Sequence, residues 1–136
     1  MIASFQKYGL ILTLISLTAC QSGGPVGELE LSVKQKPRNL MVTIARNVQN
    51  CWFKSTNPGF RKFRMANELN SYADRPRLLL VPKNNPTGLP SLVVQAQAKD
   101  NLTRLHAFGP LLATHAGKTI SADLKNWTSG KTTCVN

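Results

Sequence analysis

The chain has 136 residues, with 17 Lys and Arg against 6 Asp and Glu, a formal net charge of +11 at pH 7 and 42% hydrophobic residues. That length suits one small domain. The hydrophobic fraction, with 9 Gly and 8 Pro, excludes wholesale disorder, a collagen-like repeat and a polytopic membrane protein.

Met1 to Lys7 carries one positive charge, and Tyr8 to Thr18 is an apolar run of eleven residues. A membrane-spanning helix needs roughly 20 apolar residues, so the run has the build of a secretory signal peptide instead. It ends in Leu17-Thr18-Ala19-Cys20, a branched apolar residue, two small residues and a cysteine. This order resembles the lipobox of bacterial lipoproteins. A signal peptidase needs small side chains before the cut, and only a thiol accepts a diacylglyceryl group as a thioether. The resemblance implies a signal peptide over 1–19 and lipidation of Cys20. Gln21, standing where Asp would retain a lipoprotein at the inner membrane, implies the outer membrane, with the body facing the periplasm. Two or three acyl chains, each methylene contributing about 0.8 kcal/mol on burial, hold such a body durably. The mature chain loses only Lys7 among its charged groups, which leaves 117 residues with a net charge of +10.

Residues 20–36 read as a lipidated N-terminus and flexible tether, with Gly, Ser and Pro concentrated in Gln21 to Gly27. Within that span Leu29, Leu31 and Val33 alternate with polar neighbours, the pattern of a short edge strand or of extended linker. Residues 37–136 are expected to form a single globular domain. Pro37 suits a first helical turn, and Met41, Ile44, Ala45, Val48 and Trp52 make one apolar stripe, which predicts the main helix over Arg38 to Trp52. Asn57-Pro58-Gly59 signals a turn, and Phe63, Met65 and Leu69 follow in the pattern of a half-buried strand. After a turn over Ser71 to Arg75, Leu78 to Val81 reads as a central strand ended by Pro82, and Lys83 to Pro90 as a loop. Two alternating runs around Asp100-Asn101 form the strongest hairpin signal. Ile120, Leu124 and Trp127 predict a second helix, with Ser121 as N-cap and Gly130 as stop. The expected fold is α+β: an antiparallel sheet of about four strands packed against one main helix and a short C-terminal helix. Trp52, Trp127, Phe63 and Leu78 to Val81 are its expected core.

With Cys20 assigned to lipid, Cys51 and Cys134 remain in a chain bound for an oxidising compartment, and two cysteines allow one intramolecular disulfide. It would tie the end of the main helix to the end of the chain.

Catalytic chemistry has few carriers. His106 alternates with Leu105 and Ala107 in a strand and is expected at solvent or a sheet edge, and His115 lies in a loop. Two separated histidines make no zinc pattern. Glu28, Glu30, Glu68, Asp74, Asp100 and Asp123 form no paired acid–base motif, and no nucleophile elbow, Walker A loop or dinucleotide fingerprint is present. The sequence therefore predicts a protein without enzymatic activity, cofactor or metal.

Charge is the remaining signal. Lys34, Lys36 and Arg38 lie near the tether, Lys54, Arg61, Lys62 and Arg64 around the turn after the main helix, and Arg75, Arg77 and Lys83 on either side of the central strand. Phe60 and Phe63 interleave with the middle group, which in the cytosol would suggest nucleic acid. The signal peptide removes that partner and leaves anionic phospholipid, lipopolysaccharide, peptidoglycan carboxylates or an acidic envelope protein. The anionic ligand is expected on Lys54, Arg61, Lys62, Arg64, Arg75, Arg77 and Lys83. The segments Cys51-Trp52-Phe53-Lys54 and Arg75 to Lys83 are similar to small lipoproteins of alphaproteobacteria, a resemblance that implies no activity and carries over only Cys20. The leading expectation is a non-enzymatic outer-membrane lipoprotein whose basic face docks on an anionic envelope component. The alternative is an accessory or inhibitory subunit that binds an envelope protein.

Overall fold

A computed structural model describes residues 27–55, 57–70 and 72–135. The signal segment 1–19, Cys20 and the tether up to Val26 lie outside the described residues. Five strands, β1 (Gly27–Val33), β2 (Phe63–Glu68), β3 (Arg77–Pro82), β4 (Leu92–Lys99) and β5 (Leu102–Gly109), form one antiparallel sheet in the order β1-β5-β4-β3-β2. Two helices, α1 (Pro37–Val48) and α2 (Ala116–Thr128), complete the α+β fold.

The strand count is five where about four were expected, and the fifth is β1, inside the segment assigned to the tether. Its pairing with β5 explains why it belongs to the body. Leu29, Leu31 and Val33 pair with Ala107, Leu105 and Thr103 and pack against the core, while Glu28, Glu30 and Ser32 face outward. A short alternating strand is stable only beside a neighbour that completes its hydrogen-bond ladder. That neighbour lies about 75 residues away along the chain.

One face of the sheet is apolar. Leu78 and Leu80 of β3, Leu92, Val94 and Ala96 of β4, and Leu105 and Ala107 of β5 are buried against Leu40, Met41, Ile44 and Val48 of α1 and Ile120, Leu124 and Trp127 of α2. Each of the Leu, Ile, Val and Met side chains among them contributes about 1.5–3 kcal/mol on full burial. β3 is an interior strand between β4 and β2, in keeping with its continuous apolar run.

The main helix begins at Pro37 and continues beyond Val48 as a π-helical segment, Gln49–Phe53, closed by the Lys54 amide donating to the Gln49 carbonyl at 2.9 Å. The wider turn brings consecutive residues Cys51 and Trp52 into the core. The Trp52 ring stacks on Phe60 at 4.7 Å and meets Trp127 at 5.5 Å. Its indole N–H donates at 2.8 Å to Asp123 Oδ2, and Asp123 Oδ1 accepts the Val135 amide at 2.7 Å. Asp123 is a fully buried carboxylate whose two donors keep it satisfied. Cys51 and Cys134 form the expected disulfide across a sequence separation of 83.

The second helix starts five residues before Ser121. His115 occupies the N-cap position without a side-chain cap bond, and Ser121 lies inside α2. The early start follows from the 3-10 turn Pro110–Ala113, against which Gly117 packs so closely that a Cβ there would sit 1.9 Å from the Leu112 carbonyl oxygen. Gly130 ends the helix at φ +92, as its sequence position predicts. Asp100 and Asn101 both take positive φ, 50 and 64, the geometry of a tight two-residue hairpin.

Candidate functional site

Strand register gives the sheet two distinct ends. Gly27 pairs with Gly109, Val93 with Phe108, Leu80 with Leu92, and Phe63 with Pro82, so these residues mark one end. The described chain begins there, and we call it the entry end. The opposite, hairpin end carries Val33, the Asp100-Asn101 turn, Arg77 and Glu68.

Seven cations were expected to form one anionic-ligand patch, and the fold divides them. Arg61 and Lys62 immediately precede β2, Arg64 is its second residue, and Lys83 directly follows β3. The Lys83 amide donates to the Lys62 carbonyl at 2.9 Å, which joins these residues at the entry-end corner of β2 and β3. Lys54 follows the π-helical segment, whose Trp52 carries Phe60 just ahead of Arg61. All five are exposed, and the Lys62 ammonium lies 5.4 Å from the Phe63 ring centroid. Arg75 and Arg77 instead lie at the hairpin end, because a six-residue strand separates them from Lys83 by about 20 Å.

The two groups differ in their carboxylate neighbours. Arg77 forms an ion pair with Glu68 on the outward face of the sheet, and Asp74 and Asp100 occupy hairpin-end turns. The stretch that brings Lys62 and Arg64 to the β2–β3 corner holds no acidic residue between Glu30 and Glu68. Among the described residues Lys62, Arg64 and Lys83 have no carboxylate partner. Glu28, near the entry end on the far edge strand, is engaged by His106 Nε2 at 2.6 Å.

The loop over 83–91 returns the chain from β3 to β4 at this same end. Tight turns close at Asn85 and Gly88, whose amides donate to Pro82 and Asn85 carbonyls at 3.2 and 3.1 Å. The Ser91 amide then bonds the Leu80 carbonyl at 2.8 Å. Between these anchored points Leu89 is 90% exposed.

The histidines occupy different settings. His106 lies on the outward face, as expected, next to the cross-strand pair Glu28 and Phe108, with the Phe108 ring at 4.7 Å. The sequence reading missed this His–carboxylate pair because its members are 78 residues apart. His115 is exposed beside a hollow of about 470 Å3 lined by Phe60, Lys62, Leu111, Thr114 and Thr119. Thr114 commits its hydroxyl to the Leu111 carbonyl at 2.7 Å, and the lining holds no carboxylate to orient the imidazole. A second hollow, about 660 Å3, opens at the hairpin end between Lys36, Arg38, Asn70, Asp74 and Gln97. Arg38 there donates to Asn70 Oδ1 at 3.2 Å.

Among the described residues no group of three His, Cys, Asp or Glu is placed to hold a metal ion, and no helix is long and apolar enough to cross a membrane. Comparison of the chain with protein-family models, with curated proteins and with solved structures finds no match in any of the three.

Proposed function

We propose that the protein is a lipid-anchored, non-enzymatic component of the bacterial envelope, held by Cys20 at the outer membrane, whose basic surface docks on an anionic envelope component. The observation that carries the reading is the entry-end corner, where Lys62, Arg64 and Lys83 meet without a carboxylate among them. Arg61 and Lys54 add to the same field. A cation near an anionic surface contributes about 1 kcal/mol, and the attraction decays over a Debye length of about 8–10 Å. A tether keeps the local concentration of such a surface high, so individually weak contacts suffice.

The test uses a chain beginning at Gln21, which lacks the anchor cysteine but retains every strand, both helices and the disulfide. Retention on lipopolysaccharide or on phosphatidylglycerol vesicles is expected at low salt, with release as salt rises. Equal retention on phosphatidylcholine vesicles would remove the basis of the reading.

A second reading, an accessory or inhibitory subunit for an envelope protein, draws support from the outward face of the sheet. There Phe108, Val93, Leu79 and Ala66 align in one row across four strands, each only partly buried. Stoichiometric co-purification of an envelope protein, abolished by Leu79→Lys, would favour this reading over the first.

A further inference from the structure

We infer that the entry end of the sheet is the membrane-facing end of the body, and that Leu89, exposed in the loop over 83–91, inserts into the interface of an anionic phospholipid bilayer beside Lys62 and Lys83. The inference rests on the lipid-anchored reading above and specifies its surface, its partner and its orientation.

The first support is the place where the described chain begins. Gly27 is pinned at the entry end: it pairs with Gly109, and a Cβ on it would stand 2.3 Å from the Leu112 side chain. Six residues, Gln21 to Val26, separate it from Cys20. Fully extended, that connection spans at most about 25 Å. A body anchored at Cys20 therefore keeps Gly27 within about 25 Å of the bilayer, while the hairpin end, a strand length of about 20–25 Å further along the sheet, reaches it only if the body tips over.

The second support is independent of the anchor. The loop over 83–91 starts at Lys83 and carries an exposed apolar side chain, Leu89, with no acidic residue between Asp74 and Asp100 in the sequence. The turns closing at Asn85 and Gly88 before it and the Ser91–Leu80 backbone bond after it bracket Leu89, so little conformational freedom remains to be lost on insertion. A long apolar side chain projecting beside cations fits the interface, where the acyl boundary takes the leucine and the headgroup phosphates take the ammonium groups. Tyr72 is similarly exposed but projects from the hairpin end, next to Asp74. Gly27 on β1 and Lys62 before β2 stand four strand spacings apart, about 19 Å. Anchor, lysines and leucine thus define a plane rather than a point, which fixes how the body sits.

The experiment places an indole at each end in turn. The full chain carrying Leu89→Trp, or Tyr72→Trp, is purified from membranes and reconstituted into vesicles of phosphatidylethanolamine and phosphatidylglycerol. Emission is compared with and without bromine on the acyl chains. Trp52 and Trp127 are buried and supply a constant background. The expected result is a blue-shifted emission from Leu89→Trp that brominated lipid quenches, with Tyr72→Trp unaffected. An unquenched Leu89→Trp variant, or quenching of Tyr72→Trp in its place, overturns the inference. The chain from Gln21 onward, tested on vesicles of the same composition, separates the two failures. Salt-sensitive retention together with an unquenched Leu89→Trp overturns insertion while sustaining charge docking. Loss of retention with quenching intact overturns charge docking while sustaining the orientation.

Discussion

The two ends of the sheet are both rich in cations, yet among the described residues Lys62, Arg64 and Lys83 at the entry end have no carboxylate partner, whereas Arg77 at the hairpin end does. At the hairpin end Lys34, Lys36, Arg38, Arg75, Arg77 and Lys99 share the surface with Glu68, Asp74 and Asp100, and Arg77 is paired outright. At the entry end a backbone hydrogen bond joins Lys83 to Lys62, and Arg64 follows two residues along β2. A high net charge does not by itself define an interface. Interleaved carboxylates cancel a field within a few ångströms, whereas a cluster of one sign projects it to about a Debye length.

The largest expected effect breaks the entry end itself. The bridge from Cys51 to Cys134 closes the chain's end onto the segment leading to Lys54. Cys134→Ser should reduce stability by about 2–5 kcal/mol, seen as a lower denaturant midpoint under non-reducing conditions. An unchanged midpoint would show that the bridge constrains little. Gly109→Ala comes next, because that glycine has φ +135 and a Cβ would lie 2.6 Å from the Ser91 carbonyl oxygen. A loss of roughly 2–4 kcal/mol is expected, read by thermal unfolding.

The comparison sharpens when charges are removed at one end only. Lys62→Ala with Lys83→Ala should weaken retention on phosphatidylglycerol vesicles by about 2 kcal/mol at low salt, without changing the unfolding midpoint, since both side chains are exposed. Arg75→Ala should leave retention nearly as it was. Equal losses from the two changes would mean that the ends are equivalent. The smallest effect is expected from Glu68→Gln, which frees Arg77. An exposed pair of this kind contributes at most about 1 kcal/mol to stability, and retention should not rise if the hairpin end faces away from the bilayer.

Much of the scaffold was legible in the residues. The stripe of Met41, Ile44, Val48 and Trp52 announced the main helix, Asp100-Asn101 the hairpin, and the cysteine count the disulfide. These signals are local, or depend on a choice with one solution. What escaped was decided across long separations. β1 remained open between strand and linker because its ladder partner lies in β5. Ser121 looked like a cap, yet close packing of Gly117 on Leu112 starts the helix earlier. Helical spacing puts Asp123 on the Ile120, Leu124 and Trp127 face, but the Trp52 donor that satisfies it lies 71 residues away.

The basic cluster shows the same division. Composition determined that the surface is strongly cationic, and local pattern determined which residues lie on strands, helices and turns. Only the antiparallel pairing of β2 with β3 decided that Lys62 and Lys83 meet while Arg75 and Arg77 are carried to the opposite end. Strand order, in turn, set that corner at the same end of the sheet as Gly27. The physical reason is that residue identity and short-range periodicity dictate what each segment can bury. Which segments become neighbours depends on completing hydrogen-bond ladders and closing one shared core, a condition that the whole chain satisfies together.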